Sequence, residues 1–244
     1  MRTLACDLHV HSCLSPCADD DMTPYSIAGM AKLNGLDAVA LTDHNTCGNC
    51  ETFFRACEHY GIVPVPGMEL TTAEEIHVIC LFPTLAQAKA FHDEVRTHRI
   101  AVQNRVQIFG RQLYIGEGDE IVGEEPNLLI NATMLSLSEA AALARKHGGV
   151  AYPAHVDRES NGVIAVLGEM PEEPAFATVE FHAPEKVPEY RETYRLADKN
   201  VVTASDAHRL WGLSEEGCRI PLDCGDDDAS VRDALIRYLG GGEA

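Results

Sequence analysis

The sequence predicts an α/β fold, a distorted TIM-like barrel of about seven strand–helix units. Three observations carry that expectation. Short apolar, strand-like runs alternate with stretches of helical period along the whole chain. The length, 244 residues, suits one barrel, since barrels of ~200–250 residues commonly form single domains. Histidines and carboxylates cluster just past the ends of the apolar runs, where barrels carry their functional groups.

Taken in order, Leu4–Val10 reads as the first strand. Thr23 is placed to cap a helix that Pro24 opens, running through Ile27, Met30, Ala31 and Leu33 to Gly35. Ala38–Thr42 is the second strand, and Glu51–Tyr60 a helix stopped by Gly61. Ile62–Val65 and Ile76–Phe82 are the third and fourth strands. Thr84 and Gln87 have capping-box spacing for the next helix. The segment at about 103–126 breaks the rhythm and reads as an inserted hairpin, Gln112–Ile115 and Glu120–Val122, turned by residues 116–119. Ser136 and Glu139 form a second capping-box pattern, opening a helix through Ala140–Lys146 that ends at Gly148. Val150–Tyr152, Thr178–Phe181 and Val201–Ala204 complete seven strands in a sheet expected to be mainly parallel. A last helix spans about Ala229–Leu239, and the final residues, Glu243 and Ala244 included, are expected to fray. No repeat or linker divides the chain, so residues 1–244 are read as one domain carrying one insertion.

Composition is that of a globular enzyme: 45% hydrophobic and 23% charged residues. No apolar run approaches the ~18 residues needed to span a bilayer, and no secretory pattern opens the chain. Nine cysteines, an odd number, suit reduced thiols in the cytoplasm better than a disulfide framework. The formal net charge of −19 disfavours long nucleic acid as a partner. Two cysteine pairs, Cys13 with Cys17 and Cys47 with Cys50, lie just past histidine motifs. They suit a structural zinc, an iron–sulfur cluster or a redox pair, or they are plain reduced loop cysteines.

The strongest chemical signal lies at opposite ends of the chain. Residues 7–11 read Asp-Leu-His-Val-His, and residues 205–208 read Ser-Asp-Ala-His. Alternation along a strand puts His9 and His11 on one face, Asp206 and His208 on another, with Asp7 sharing the parity of His9. Imidazoles and carboxylates converging from distant segments are what a transition-metal site needs. His44 follows the second strand and Glu69 the third.

These residues resemble the PHP-domain family, the polymerase and histidinol phosphatase family of metal-dependent phosphoesterases. The matching pieces, in the family's order, are residues 7–12, Thr42-Asp43-His44-Asn45, Gly67-Met68-Glu69, Glu75-Ile76-His77, Pro153-Ala154-His155 and Ser205-Asp206-Ala207-His208. The resemblance implies a barrel of seven units holding three divalent ions of zinc, manganese or iron. His9, His11, Glu69 and Asp206 would hold the first. His44 and His208 would hold the second, with a loop ligand for which Asp19 is the best match and Asp20 the next. Glu69 would bridge to a third ion held by His77 and His155. Glu69, Asp206 and His208 would be the residues on which catalysis turns.

The implied chemistry is hydrolysis of a phosphate ester of a small metabolite or short nucleotide by a metal-activated hydroxide. Arg158 and Arg209 lie beside ligand motifs and suit substrate or inorganic phosphate. Two other readings are a regulatory module without catalysis and a barrel amidohydrolase cleaving a C–N bond. The ligand set is complete and no polymerase segment follows it, against the first. No lysine suited to a bridging carbamate lies near the strand ends, against the second.

Overall fold

The computed structural model describes residues 1–242; the expectation of fraying at Glu243 and Ala244 lies outside the described residues. The elements, in chain order, are β1 (Arg2–Val10), α1 (Pro24–Leu33), β2 (Ala38–Leu41), α2 (Cys50–Tyr60), β3 (Val63–Thr71), β4 (His77–Leu81) and α3 (Leu85–Arg96). There follow α4 (Val106–Phe109), β5 (Leu113–Ile115), β6 (Ile121–Glu124), α5 (Leu137–Lys146), β7 (Val150–Pro153) and α6 (Val163–Leu167). The chain ends with β8 (Thr178–Phe181), α7 (Val187–Thr193), β9 (Asn200–Thr203), β10 (Cys218–Leu222) and α8 (Asp228–Leu239).

Local chemistry sets most boundaries. The Thr23 hydroxyl accepts from the Ser26 amide at the start of α1, and Gly61 ends α2 in the left-handed region. Ser136 and Glu139 complete a reciprocal capping box on α5.

Six strands form a curled half-barrel in the order β10-β1-β2-β3-β4-β7, and β8 and β9 pair separately. The distorted-barrel class holds, but the sheet is mixed. β1, β2 and β3 are parallel, whereas β4 runs antiparallel to β3 and β7, and β10 antiparallel to β1. The reason is length: residues 72–76 alone join β3 to β4, and a parallel crossover needs a dozen residues or more. The antiparallel turn brings His77, the first residue of β4, to the same edge as the C-terminal end of β3, with Thr71 and His77 in register.

Two apolar clusters flank the sheet. One holds Leu4, Cys6, Leu8, Ala40, Ile79 and Tyr152 under Val231, Leu235 and Leu239 of α8. The other lies beneath α1, α2, α3 and α5, around Ile27, Phe53, Phe91 and Ala140. β1 changes allegiance midway. Asp7 is opposite Val39 but Val10 is opposite Leu41, so β1 carries one extra residue. Before it, Leu8 packs with the α8 cluster; after it, Val10 packs with the other, and His9 and His11 face the site.

The expected hairpin forms from β5 and β6 and docks on two loops. Leu113 N–H donates to Cys13 O at 2.8 Å, and Ile115 N–H to Asn49 Oδ1 at 3.0 Å.

A candidate multinuclear metal centre

Beyond the pairing of β1 with β10, a short parallel bridge aligns the two motifs from opposite ends of the chain. Val10 pairs in parallel with Ala207, and His11 N–H donates to Ala207 O at 3.0 Å. The neighbours of Val10 are His9 and His11, and those of Ala207 are Asp206 and His208, so one bridge delivers four candidate ligands. A second bridge, His44 with Glu69, delivers two more.

The resulting cluster is buried. Three groups of donor atoms lie mutually within 4.8 Å: His9, His11, Glu69 and Asp206; His11, His44 and His208; and His44, Glu69 and His77. In the first group, His9 Nε2 lies 3.0 Å from His11 Nε2, 3.2 Å from Asp206 Oδ1 and 3.4 Å from Glu69 Oε2. His11 Nε2 lies 3.1 Å from Asp206 Oδ1 and 3.2 Å from Glu69 Oε2. A tetrahedral ion with ligands at about 2.0–2.1 Å spaces them about 3.3–3.4 Å apart. The second carboxylate oxygen, Glu69 Oε1, lies 2.7 Å from His77 Nδ1 and 3.2 Å from His155 Nε2. Glu69 Oε2, Asp206 Oδ1, His44 Nδ1 and His77 Nδ1 are buried without a hydrogen-bond partner. Buried lone pairs facing one another are costly unless a proton or a metal ion lies among them, and this donor set fits divalent ions.

Outer hydrogen bonds fix which nitrogen is free. Glu180 Oε1 accepts from His9 Nδ1 at 2.8 Å and from the His155 amide at 3.1 Å. Ser15 donates to Asp43 Oδ1 at 2.7 Å, so its oxygen accepts from His11 Nδ1 at 2.9 Å. His208 Nδ1 donates to Asp206 O at 2.8 Å. In each case the proton on Nδ1 leaves the Nε2 lone pair for the cluster. His155 and Asp206 both take positive φ, 28° and 50°, a cost that these hydrogen bonds and the bridge sustain.

The electrostatics agree. Burial alone would raise the Glu69 carboxyl, but His77, His9 and His44 hold it well below the usual carboxylate range. Asp206 is likewise held low against burial, by His9 and His11. Burial would lower His9, yet Glu180, Asp206 and Glu69 raise it well above normal, and His11 is pushed up to about 9. Burial, with the charge of His11 beside them, takes His44 down to about 4 and His208 to about 3, although Glu69 and Asp206 oppose the shift in part. The cluster therefore demands positive charge and draws it from His9 and His11 when no ion supplies it.

Three expectations change. Asp19 is not brought to the cluster. Its amide is tied to His208 O at 3.0 Å, and its half-exposed carboxylate lies 3.5 Å from Arg209 Nε. Asp20 instead faces Arg111. The loop side chain that reaches the cluster is Ser15, through His11 Nδ1. Asp7 does not share the face of His9, because the extra residue in β1 breaks the alternation; its oxygens accept from the Ser205 and Ser214 amides. Arg158 donates to Asp206 Oδ2 at 2.5 Å, so it holds a candidate ligand, with its side chain still 41% exposed. Arg209 is exposed at the rim. The nine cysteines are free, and among the described residues none joins a metal-holding group. Cys13 packs against Leu113 and Ile115, while Cys47 and Cys50 both donate to Gly67 O.

Sequence reasoning missed Glu180, Asp43 and Ser15. The available signal for Glu180 was a lone charge inside the apolar strand β8; for Asp43, a carboxylate directly before His44.

Known proteins resemble this chain in sequence or in fold. An error-prone DNA polymerase of Symbiobacterium thermophilum is 38% identical over 74 residues, which cover 30% of this chain and 7% of the polymerase. A lesion-specific endonuclease of Pyrococcus furiosus superposes with a TM-score of 0.64 at 19% identity, covering 98% of this chain and 57% of the endonuclease. A protein described as a metal-dependent phosphoesterase, from Bifidobacterium adolescentis, superposes with a TM-score of 0.59 at 19% identity, covering 98% of this chain and 96% of its own. The chain thus spans only a small part of the polymerase and just over half of the endonuclease. No helix among the described residues is long and apolar enough to cross a membrane. The profile described as PHP domain matches residues 7–151, from the first His-x-His through Glu69 and His77, and the chain belongs to that family.

Proposed function

We propose that the chain is a metal-dependent phosphoesterase, one domain over residues 1–244 with residues 103–126 inserted, hydrolysing a phosphate ester of a small metabolite or short nucleotide. One observation carries the reading: buried, partnerless Glu69 Oε2 and Asp206 Oδ1 face the Nε2 atoms of His9 and His11 at 3.1–3.4 Å. His9, His11, Glu69 and Asp206 would hold a first ion, His44 and His208 a second, and His77 and His155, with Glu69 bridging, a third. Zinc, manganese and iron all suit this mixture of imidazole and carboxylate. Bound there, divalent ions lower the pKa of water and neutralise charge on phosphoryl oxygens.

The chain's own groups keep the donors aimed. Glu180 holds His9, and the Ser15–Asp43 pair holds His11. Arg158 takes one oxygen of Asp206 and leaves the other for the cluster. Its remaining N–H groups, and those of Arg209, suit a phosphate at the mouth. The net charge of −19 favours a small phosphorylated substrate over a long polyanion. An odd number of cysteines, none paired, supports a reducing, cytoplasmic setting.

The test is a phosphate-release screen over sugar phosphates and nucleotides with manganese, zinc and iron in turn, beside a panel of amide and cyclic-amide substrates. Phosphate release that chelation abolishes and metal restores is expected. Amide cleavage without phosphate release would overturn the reading.

A further inference from the structure

The only tryptophan of the chain is also among its most exposed apolar side chains. Trp211 is 78% exposed, three residues past His208, in the 3-10 turn Leu210–Gly212. A single exposed apolar residue needs no explanation in general. This one is held in place. Leu210 and Leu213, on either side, pack into the core beneath α1, and Leu213 is 2% exposed. Asn34 Nδ2 donates to the carbonyls of Leu213 and Ser214 at 3.2 Å each. The Ser214 amide is held by Asp7 Oδ2. The turn is anchored at both ends while its largest side chain stands in water.

The surroundings point to a ligand. Arg209 Cζ lies 5.6 Å from the centroid of the Trp211 ring, a cation–π contact that steadies the indole. Arg209 itself follows His208, whose imidazole stacks on His11 at 4.2 Å between centroids. A chain of three residues spans at most about 10 Å. Along that stretch lie His208 of the cluster, Arg209 and the Trp211 ring, and Arg158 reaches the same cluster through Asp206. A phosphate held by the cluster and Arg209 would bring the alcohol portion of an ester toward the segment that carries Trp211.

Resting on the phosphoesterase reading, we propose that Trp211 is a stacking platform for a nucleobase and that the substrate is a nucleoside monophosphate. Base–aromatic stacking is tolerant of base identity, because every base offers a π-face. The platform therefore selects nucleotides over sugar phosphates without selecting one base.

A lone tryptophan makes the test direct, because all indole emission reports this residue. Manganese-loaded protein is mixed in a stopped-flow cell with adenosine 5′-monophosphate, ribose 5-phosphate or inorganic phosphate, and emission is read before turnover. Quenching by the nucleotide alone is expected; an equal response to all three overturns the proposal. Calorimetry on the parent, Trp211→Ala and Trp211→Phe gives the affinity ratio of nucleotide to ribose 5-phosphate. Alanine should lower that ratio by about 5- to 150-fold, and phenylalanine should retain most of it. An unchanged ratio in the alanine variant overturns the platform. If the parent releases phosphate from no ester at all, the phosphoesterase reading falls, while the emission and affinity comparisons still decide the role of Trp211.

Discussion

Each oxygen of Glu69 faces a different set of imidazoles. Oε1 lies nearest His77 and His155, and Oε2 nearest His44, His11 and His9. A substitution there touches every part of the cluster, whereas His77 touches one. Glu69→Gln should lose most bound metal and reduce phosphate release at least about a hundredfold, while His77→Ala keeps the ions farther from it. Metal analysis of both variants checks this, and equal metal content in Glu69→Gln and the parent contradicts it. Glu180 acts at one remove. Glu180→Gln keeps the shape but removes the charge that orients His9. Metal affinity, measured by competition with a chelator, should fall about 10- to 100-fold with little change in helical signal. The residues of the cluster were legible as His-x-His, Asp-x-His and Gly-Met-Glu patterns. Glu180, Asp43 and Ser15 were not, because an outer hydrogen bond depends on where distant strands come to rest. Asp19 differs for the opposite reason: its spacing suited a ligand, but its backbone N–H donates to His208 O while its carboxylate faces Arg209.

At the level of elements, local rules carried far. Thr23, Thr84 and Ser136 cap the helices expected of them, and β8 occupies the expected Thr178–Phe181. What failed was pairing direction and pairing at long range. β10 escaped notice because Arg219 and Pro221 interrupt its apolar pattern; as an edge strand on β1 it tolerates both. The extra residue in β1 likewise shows only against its partner β2. Besides its β5 contacts, the inserted segment abuts the loop after His11 at the end of α4. Gly110, at φ 89°, ends α4, and a Cβ there would lie 2.5 Å from Pro16 O, in the loop that follows His11. Gly118, at φ 69°, has open space around it. Gly110→Ala should therefore cost about 1–3 kcal/mol and disturb activity. Gly118→Ala should cost only the left-handed backbone penalty, about 1–2 kcal/mol, and spare activity. Denaturant midpoints and phosphate release on the pair separate contact from backbone strain.

For the molecule as a whole, the ions would offset charge as well as hold substrate. The chain carries a formal −19, and Glu69, Asp206, Glu180, Asp43 and Asp7 are all buried. Stripping divalent ions should lower the melting temperature by at least about 5 °C, since one ion at a hundred times its Kd contributes about 2.7 kcal/mol. Calorimetric scans before and after chelation, then after remetallation, check this. An unchanged transition would mean the cluster is stable without ions.

The bridge between Val10 and Ala207 also dictates timing. It closes a loop of nearly the whole chain, and contacts of such sequence separation form slowly, because their entropy must be lost before they contribute. On the ribosome, His9 and His11 emerge about 200 residues before the Asp206 and His208 that they meet. A nascent chain arrested before residue 205 can fold helices and hairpins yet holds only part of its metal nest. Tight metal capture is thus a late event, and a metal-responsive signal during refolding would mark the moment the ends of the chain join.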